Sequence, residues 1–124
     1  MSSWRPEDLE AFAASDDLHV SPSRDDGTTY STPTWIWSVV VGDALYARAY
    51  NGTASRWFRA AVRQGAGRVR LAREDHEVEF AVADPSAISA VDEAHRRKYA
   101  SSSYLGPMVS PRAQEATVVI TPRE

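Results

Sequence analysis

Hydrophobic residues recur every second position along much of this chain and at helical spacing in a few short stretches, a rhythm that predicts strands joined by tight turns. Pro6 suits the first turn of a helix, Glu7, Asp8 and Glu10 favour its positive end, and Leu9, Phe12 and Ala13 give it one apolar face. A short first helix is therefore predicted, with Trp4 packing as its anchor. Leu18-His19-Val20-Ser21 alternates and predicts a strand running towards Arg24, closed by a hairpin turn at Asp25-Asp26-Gly27. The next strand is long, from Thr28 to Val41. Pro33 removes one amide from its ladder, which implies an edge position, a bulge or a bend. Trp35, Trp37, Val39 and Val41 share one face of that strand, and Thr34, Ile36, Ser38 and Val40 share the other. Both faces are largely apolar, so the strand is expected to be covered on both sides.

Gly42-Asp43 fits a type II′ turn, whose first position needs a positive φ. A third strand, Ala44 to Tyr50, returns with Leu45, Ala47 and Ala49 on one side and Tyr46, Arg48 and Tyr50 on the other. Asn51-Gly52 turns the chain again. Thr53 or Ser55 can cap a helix carrying Trp57, Phe58, Ala61 and Val62, which Gly65 stops. Val69 and Leu71 alternate with Arg68, Arg70 and Arg73; after a turn at Glu74-Asp75, Val78, Phe80 and Val82 alternate with Glu77 and Glu79. That predicts an amphipathic hairpin with Arg facing Glu on its solvent side. Asp84-Pro85 opens a further helix with Ile88, Val91 and His95 on one stripe, and Arg96-Arg97-Lys98 completes its dipole. A loop through Gly106-Pro107, one helical turn at Ser110-Pro111 and a β-branched strand from Thr117 to Thr121 end the chain. The sum is one α+β domain, a six-stranded antiparallel split β-barrel with three short flanking helices, filling all 124 residues.

Composition narrows the chemistry. Without cysteine the chain has no disulfide, no thiol nucleophile and no zinc site built on Cys. Its three histidines, His19, His76 and His95, show no metal-ligand spacing, and no metal site is expected. No apolar run approaches the length a membrane-spanning helix requires, and the N-terminus lacks the basic and apolar regions of a signal peptide, so a cytoplasmic protein without membrane partners is expected. The formal charge is −3, and neither half is basic enough for a nucleic-acid footprint. Nothing matches the G-x-S-x-G, G-x-G-x-x-G or Walker patterns.

The residues richest in chemistry lie where the third strand meets the following helix: Arg48, Tyr50, Asn51, Gly52, Thr53, Ser55, Arg56 and Trp57. Helix-start amides, hydroxyls and forked cations together suit a phosphate group, whose charge must be met by several donors at once. An ordinary capped helix with solvated arginines would read the same way. Trp35 and Trp37 could offer a flat surface for a planar ring or could be core.

The run TPTWIWSVVVGDALYARAYNGTASRWFRA, with VDEAHRRKYASSSYLGPMVSP and the final TVVITPR, resembles the bacterial family known as domain of unknown function 2255. That family resembles a distant branch of the flavin-type split β-barrels, whose characterised relatives include deazaflavin-dependent nitroreductases. The resemblance implies a cofactor cleft at Thr32-Pro33, Gly42-Asp43 to Tyr46, Asn51-Gly52 and Trp57. It also implies a homodimer and a flavin mononucleotide or deazaflavin cofactor that performs the chemistry, with no side chain acting as acid or base. Thr32 and Trp35 would border the ring, and Arg48, Asn51, Gly52, Thr53 and Arg56 would hold phosphate. The loop before Thr32 departs from the deazaflavin enzymes: it reads Arg24-Asp25-Asp26-Gly27-Thr28 where theirs is basic and glycine-rich, which disfavours an anionic polyglutamyl tail. The other reading is a non-catalytic binding or stress-related module that has kept the barrel without the cofactor.

Overall fold

In the computed structural model, which describes residues 3–123, the two-residue period becomes seven strands in one antiparallel sheet. The strands are β1 (Leu18–Pro22), β2 (Thr34–Ile36), β3 (Ser38–Val41), β4 (Ala44–Arg48), β5 (Ala66–Leu71), β6 (Glu74–Val82) and β7 (Thr117–Pro122). They lie in the order β2-β1-β5-β6-β7-β4-β3. The helices are α1 (Pro6–Ala14), α2 (Arg56–Gln64), α3 (Ile88–Lys98) and two short turns, α4 (Leu105–Met108) and α5 (Pro111–Glu115). Beside the three expected helices stand the expected turn at Ser110-Pro111, which is α5, and the unexpected α4, and there are seven strands where six were expected.

The extra strand comes from the stretch read as one long strand. Thr28 to Pro33 lies outside the named strands, and Trp37 separates β2 from β3. β2 pairs with β1 at one end of the sheet, and β3 pairs with β4 at the other. Trp37 alone joins these ends, so the sheet curls into a nearly closed barrel. The acidic turn also gains its own architecture: Asp26 accepts bonds from the Thr28 and Thr29 amides and the Thr29 hydroxyl, an Asx-type turn with Gly27 at φ 71.

Other turns follow the reading more closely. Gly42 takes φ 60 while Asp43 does not take positive φ, as a type II′ turn requires, and Gly65 closes α2 in the left-handed conformation. The β5–β6 turn falls at Ala72-Arg73 (φ 53 and 68), not at Glu74-Asp75, which belong to β6. Two non-glycine residues with positive φ are uncommon, so local propensity points away from that position.

Two apolar clusters result. The barrel interior holds Leu18, Val20, Leu45, Ala47, Val69, Leu71, Val78, Val118 and Ile120, closed by Trp4 and Phe12 at one end and by Phe58 of α2. Trp4 is an anchor as expected: its ring meets Phe12 edge-on at 4.9 Å and its Nε1 donates to the Ile120 carbonyl at 2.9 Å. A second cluster outside the barrel, under α3, holds Trp37, Val39, Val91, Ala94, Tyr99, Met108 and Ala113. β3 therefore is covered on both faces. Lys98, the one lysine, ties this layer together by donating to the Phe12, Ser15 and Ser38 carbonyls. No helix among the described residues is long and apolar enough to cross a membrane.

Candidate functional site

A cavity of about 760 Å³ opens between β2, the end of β4, the start of α2 and the α3–α4 connection. Trp35, Trp37, Trp57, Tyr50 and Tyr104 supply its aromatic surface; Asn51, Ser55 and Arg56 supply polar groups. Among the described residues no carboxylate lines it, in a chain whose formal charge is −3. The volume falls within the range of sites that enclose small organic ligands, about 300–1,000 Å³.

Each wall has a local cause. Trp35 lies in a three-residue edge strand and is 57% exposed, an uncommon state for an indole, yet its Nε1 donates to the Asp16 carbonyl at 2.9 Å, which fixes the ring's orientation. Trp37, its neighbour in the cavity, is buried and stacks on Tyr99 with centroids 3.9 Å apart and an interplanar angle of 4°. Burial pushes the Tyr99 hydroxyl up to about 12; that hydroxyl accepts from the Ser38 amide and donates to the Ser38 carbonyl. Of the two tryptophans read on one strand face, one is thus cleft wall and the other joins cleft to core. Tyr50 and Tyr104 meet edge to face at 5.8 Å.

Of the eight residues expected to contact a cofactor (Thr32, Trp35, Arg48, Asn51, Gly52, Thr53, Arg56 and Trp57), five line the cavity, namely Trp35, Arg48, Asn51, Arg56 and Trp57, and Tyr50 and Ser55 of the same constellation line it too. Gly52 is buried in a 3₁₀ turn (Gly52–Ala54), and Thr53 is exposed in that same turn; neither lines the cavity. No side chain caps α2, so neither Thr53 nor Ser55 plays the capping role read from sequence. Thr32 lies elsewhere, in a second groove of about 710 Å³ formed by the Thr28–Pro33 loop with His19, Arg24, Arg68 and Arg70.

Arg48 reaches the cavity but is not available to a phosphate. It is fully buried, with Nε donating to Thr117 Oγ1 at 2.8 Å, Nη1 to Asp92 Oδ1 at 2.5 Å and to the Met108 carbonyl, and Nη2 to the Ile88 carbonyl. Gln114 holds the other Asp92 oxygen at 2.9 Å. Four of the five guanidinium N–H groups thus bind β7, α3 and α4, which makes Arg48 the rivet beneath the site. Its position on the strand face opposite Leu45 was legible; the α3 layer covering that face was not. By contrast, Arg56 is exposed and makes no ion pair or side-chain hydrogen bond among the described residues.

Sequence reasoning missed Tyr104, Ser102 and Met108, which reach the cavity from a serine-rich loop and a four-residue helix. No periodicity marks such segments. Behind Trp37 lies His95, fully buried, with Nδ1 2.9 Å from the Val91 carbonyl and Nε2 without a hydrogen-bond partner among the described residues. Burial pulls it down to about 4, opposed by the Val91 bond and aided by the Arg48 charge.

The family model described as "Uncharacterized protein conserved in bacteria (DUF2255)" matches residues 8–120. Among solved structures, the conserved hypothetical protein Rv2991 from Mycobacterium tuberculosis superposes with a TM-score of 0.66 at 15% identity, over 99% of this chain and 83% of that one. A "putative 5-nitroimidazole antibiotic resistance protein" from Bacteroides thetaiotaomicron VPI-5482 superposes with a TM-score of 0.58 at 15% identity, over 98% and 81%. At such identity the likeness is one of fold. Among curated proteins none matches the sequence.

Proposed function

The chain belongs to the DUF2255 family, and on that premise we propose that its aromatic cavity binds a planar, phosphate-bearing heterocycle of the flavin class, flavin mononucleotide in preference to a polyglutamylated deazaflavin. The observation that carries this reading is the cavity wall itself: three Trp, two Tyr and a free Arg, without one carboxylate among the described residues. Such a wall stacks on a conjugated ring and attracts an anion. Arg56, the Asn51 amide and the Ser55 hydroxyl are the donors for phosphate, and Trp35 and Trp57 are the surfaces for the ring. Arg48, Gly52 and Thr53 support the 48–56 segment without touching ligand, and Thr32 has no part in the site. When bound, a flavin supplies its own electron-transfer chemistry; the protein binds, orients and shields it. The resemblance to the deazaflavin-dependent nitroreductases makes reduction of a small organic compound the reaction to test first, with a 5-nitroimidazole as the trial compound after the name of the Bacteroides protein.

A binding module without redox chemistry is the second reading, favoured by the acidic turn. Asp26 is held at about 2 by its bonds to Thr29 and Thr28 and stays ionised, at the place where a polyglutamyl tail would need cations.

Tryptophan fluorescence and the visible spectrum, followed through titrations with flavin mononucleotide and with the deazaflavin coenzyme, test both readings. The flavin is expected to bind with Kd below about 100 μM and the deazaflavin more weakly. No binding of either would sink the cofactor reading. Arg56→Ala is expected to weaken flavin mononucleotide by about 1.5–3 kcal/mol, the value of a charge-assisted bond, and unchanged affinity would place the phosphate elsewhere.

A further inference from the structure

A phosphate monoester carries close to two negative charges near neutral pH, and Arg56 can offset one of them. Arg48 cannot offset the second, because Asp92 already neutralises it. Another guanidinium is carried on α5, which packs against the same segment. Arg112, at the second position of α5, crosses Gly52 so closely that a Cβ there would sit 2.5 Å from Arg112 Cγ, and Gly52 takes φ 77, which favours glycine. Beyond that crossing, the Arg112 Cζ lies 5.6 Å from the centroid of Tyr50, a ring of the cavity wall. The guanidinium is exposed and makes no ion pair or hydrogen bond among the described residues.

We propose that Arg112, carried over Gly52 and stacked on Tyr50, is the second cation of the anion end of this cavity and selects ligands that carry a phosphate over those that carry the ring alone. The inference rests on the flavin-class reading above. The missing side chain at Gly52 lets an arginine from the C-terminal part of the chain reach the junction of β4 and α2. The Tyr50 face holds it near the site without neutralising it, whereas a carboxylate partner would cancel the charge the ligand needs.

The test compares flavin mononucleotide with riboflavin, which presents the same ring without phosphate, on the wild-type protein and on Arg112→Ala and Arg112→Lys, by tryptophan fluorescence at two salt concentrations. Arg112→Ala is expected to weaken flavin mononucleotide about tenfold or more and to leave riboflavin within about twofold, with a shallower salt dependence for the phosphate-bearing ligand. Arg112→Lys is expected to recover part of the loss, since it restores the charge without the planar fork. Equal losses for both ligands, or none for either, would overturn the assignment while the cavity reading stands. If the wild-type protein binds neither flavin, both fall together.

Discussion

The two grooves of this barrel are nearly equal in size, about 760 and 710 Å³, and both contain arginine, yet they differ in what surrounds the charge. In the Thr28–Pro33 groove two of the three arginines are paired: Arg68 bonds Glu77 at 2.7 Å and lies over the Tyr30 ring, and Arg70 meets Asp75 at 3.3 Å, while the exposed Arg24 has no ion pair among the described residues. Hydroxyls line the rest. The aromatic cavity reverses this arrangement. Its one paired arginine is sealed beneath it, its rim cation is free, and its walls are indoles and phenols. Volume therefore does not separate the grooves; the placement of carboxylates and aromatic rings does, because an anion gains little from a cation already matched to another anion.

The contrast is sharpest where the two ion pairs are broken. Arg48→Ala leaves the Asp92 carboxylate without its counter-ion, with Gln114 as its remaining side-chain partner, and is expected to cost about 3–5 kcal/mol in chemical denaturation, as for other buried pairs. A cost below about 1 kcal/mol would show that the pocket floor is not held by this rivet. Acidification probes the same layer: His95 has its folded value near 4 against an ordinary 6.5, so the unfolded chain binds its proton first. Stability is accordingly expected to be intact above about pH 6.5 and to fall, by on the order of 3 kcal/mol, as pH drops towards 4. His95→Gln should flatten that limb of the stability–pH curve, and an unchanged limb would assign it to other groups. Trp35→Ala is expected to leave stability within about 1 kcal/mol, since the ring is mostly exposed, while weakening ligand about tenfold. The smallest effect belongs to the other groove. Glu77→Gln, which breaks a half-exposed pair, is expected to change stability by under about 1 kcal/mol and ligand affinity not at all. A large change in affinity would shift the site to that groove.

Much of the barrel was legible because alternation survives wherever one strand face meets the interior. β4, the β5–β6 ladder and β7 follow directly from Leu45 and Ala47, from Val69 and Val78, and from Val118 and Ile120. The site was legible in part: Asn51, Arg56 and Trp57 adjoin one another in sequence and in space. Arg48 was misjudged because its parity states which face it occupies but not that α3 and α4 close over that face. The helix cap was legible in position only, since Ser55 stands at the N-cap of α2 without a side-chain cap bond and Thr53 lies in the 3₁₀ turn before it. Tyr104 and Arg112 were invisible, for their contribution depends on contacts more than fifty residues distant along the chain.

The single residue between β2 and β3 carries a topological consequence. A sheet with two exposed edges offers two templates for another chain to extend, and proteins ordinarily guard such edges one at a time. Here the backbone at Trp37 ties one edge strand to the other, and the indole of that residue also lines the aromatic cavity. The separation of the two sheet ends and the shape of the aromatic cavity thus both depend on the chain at Trp37, so a change there would alter both at once.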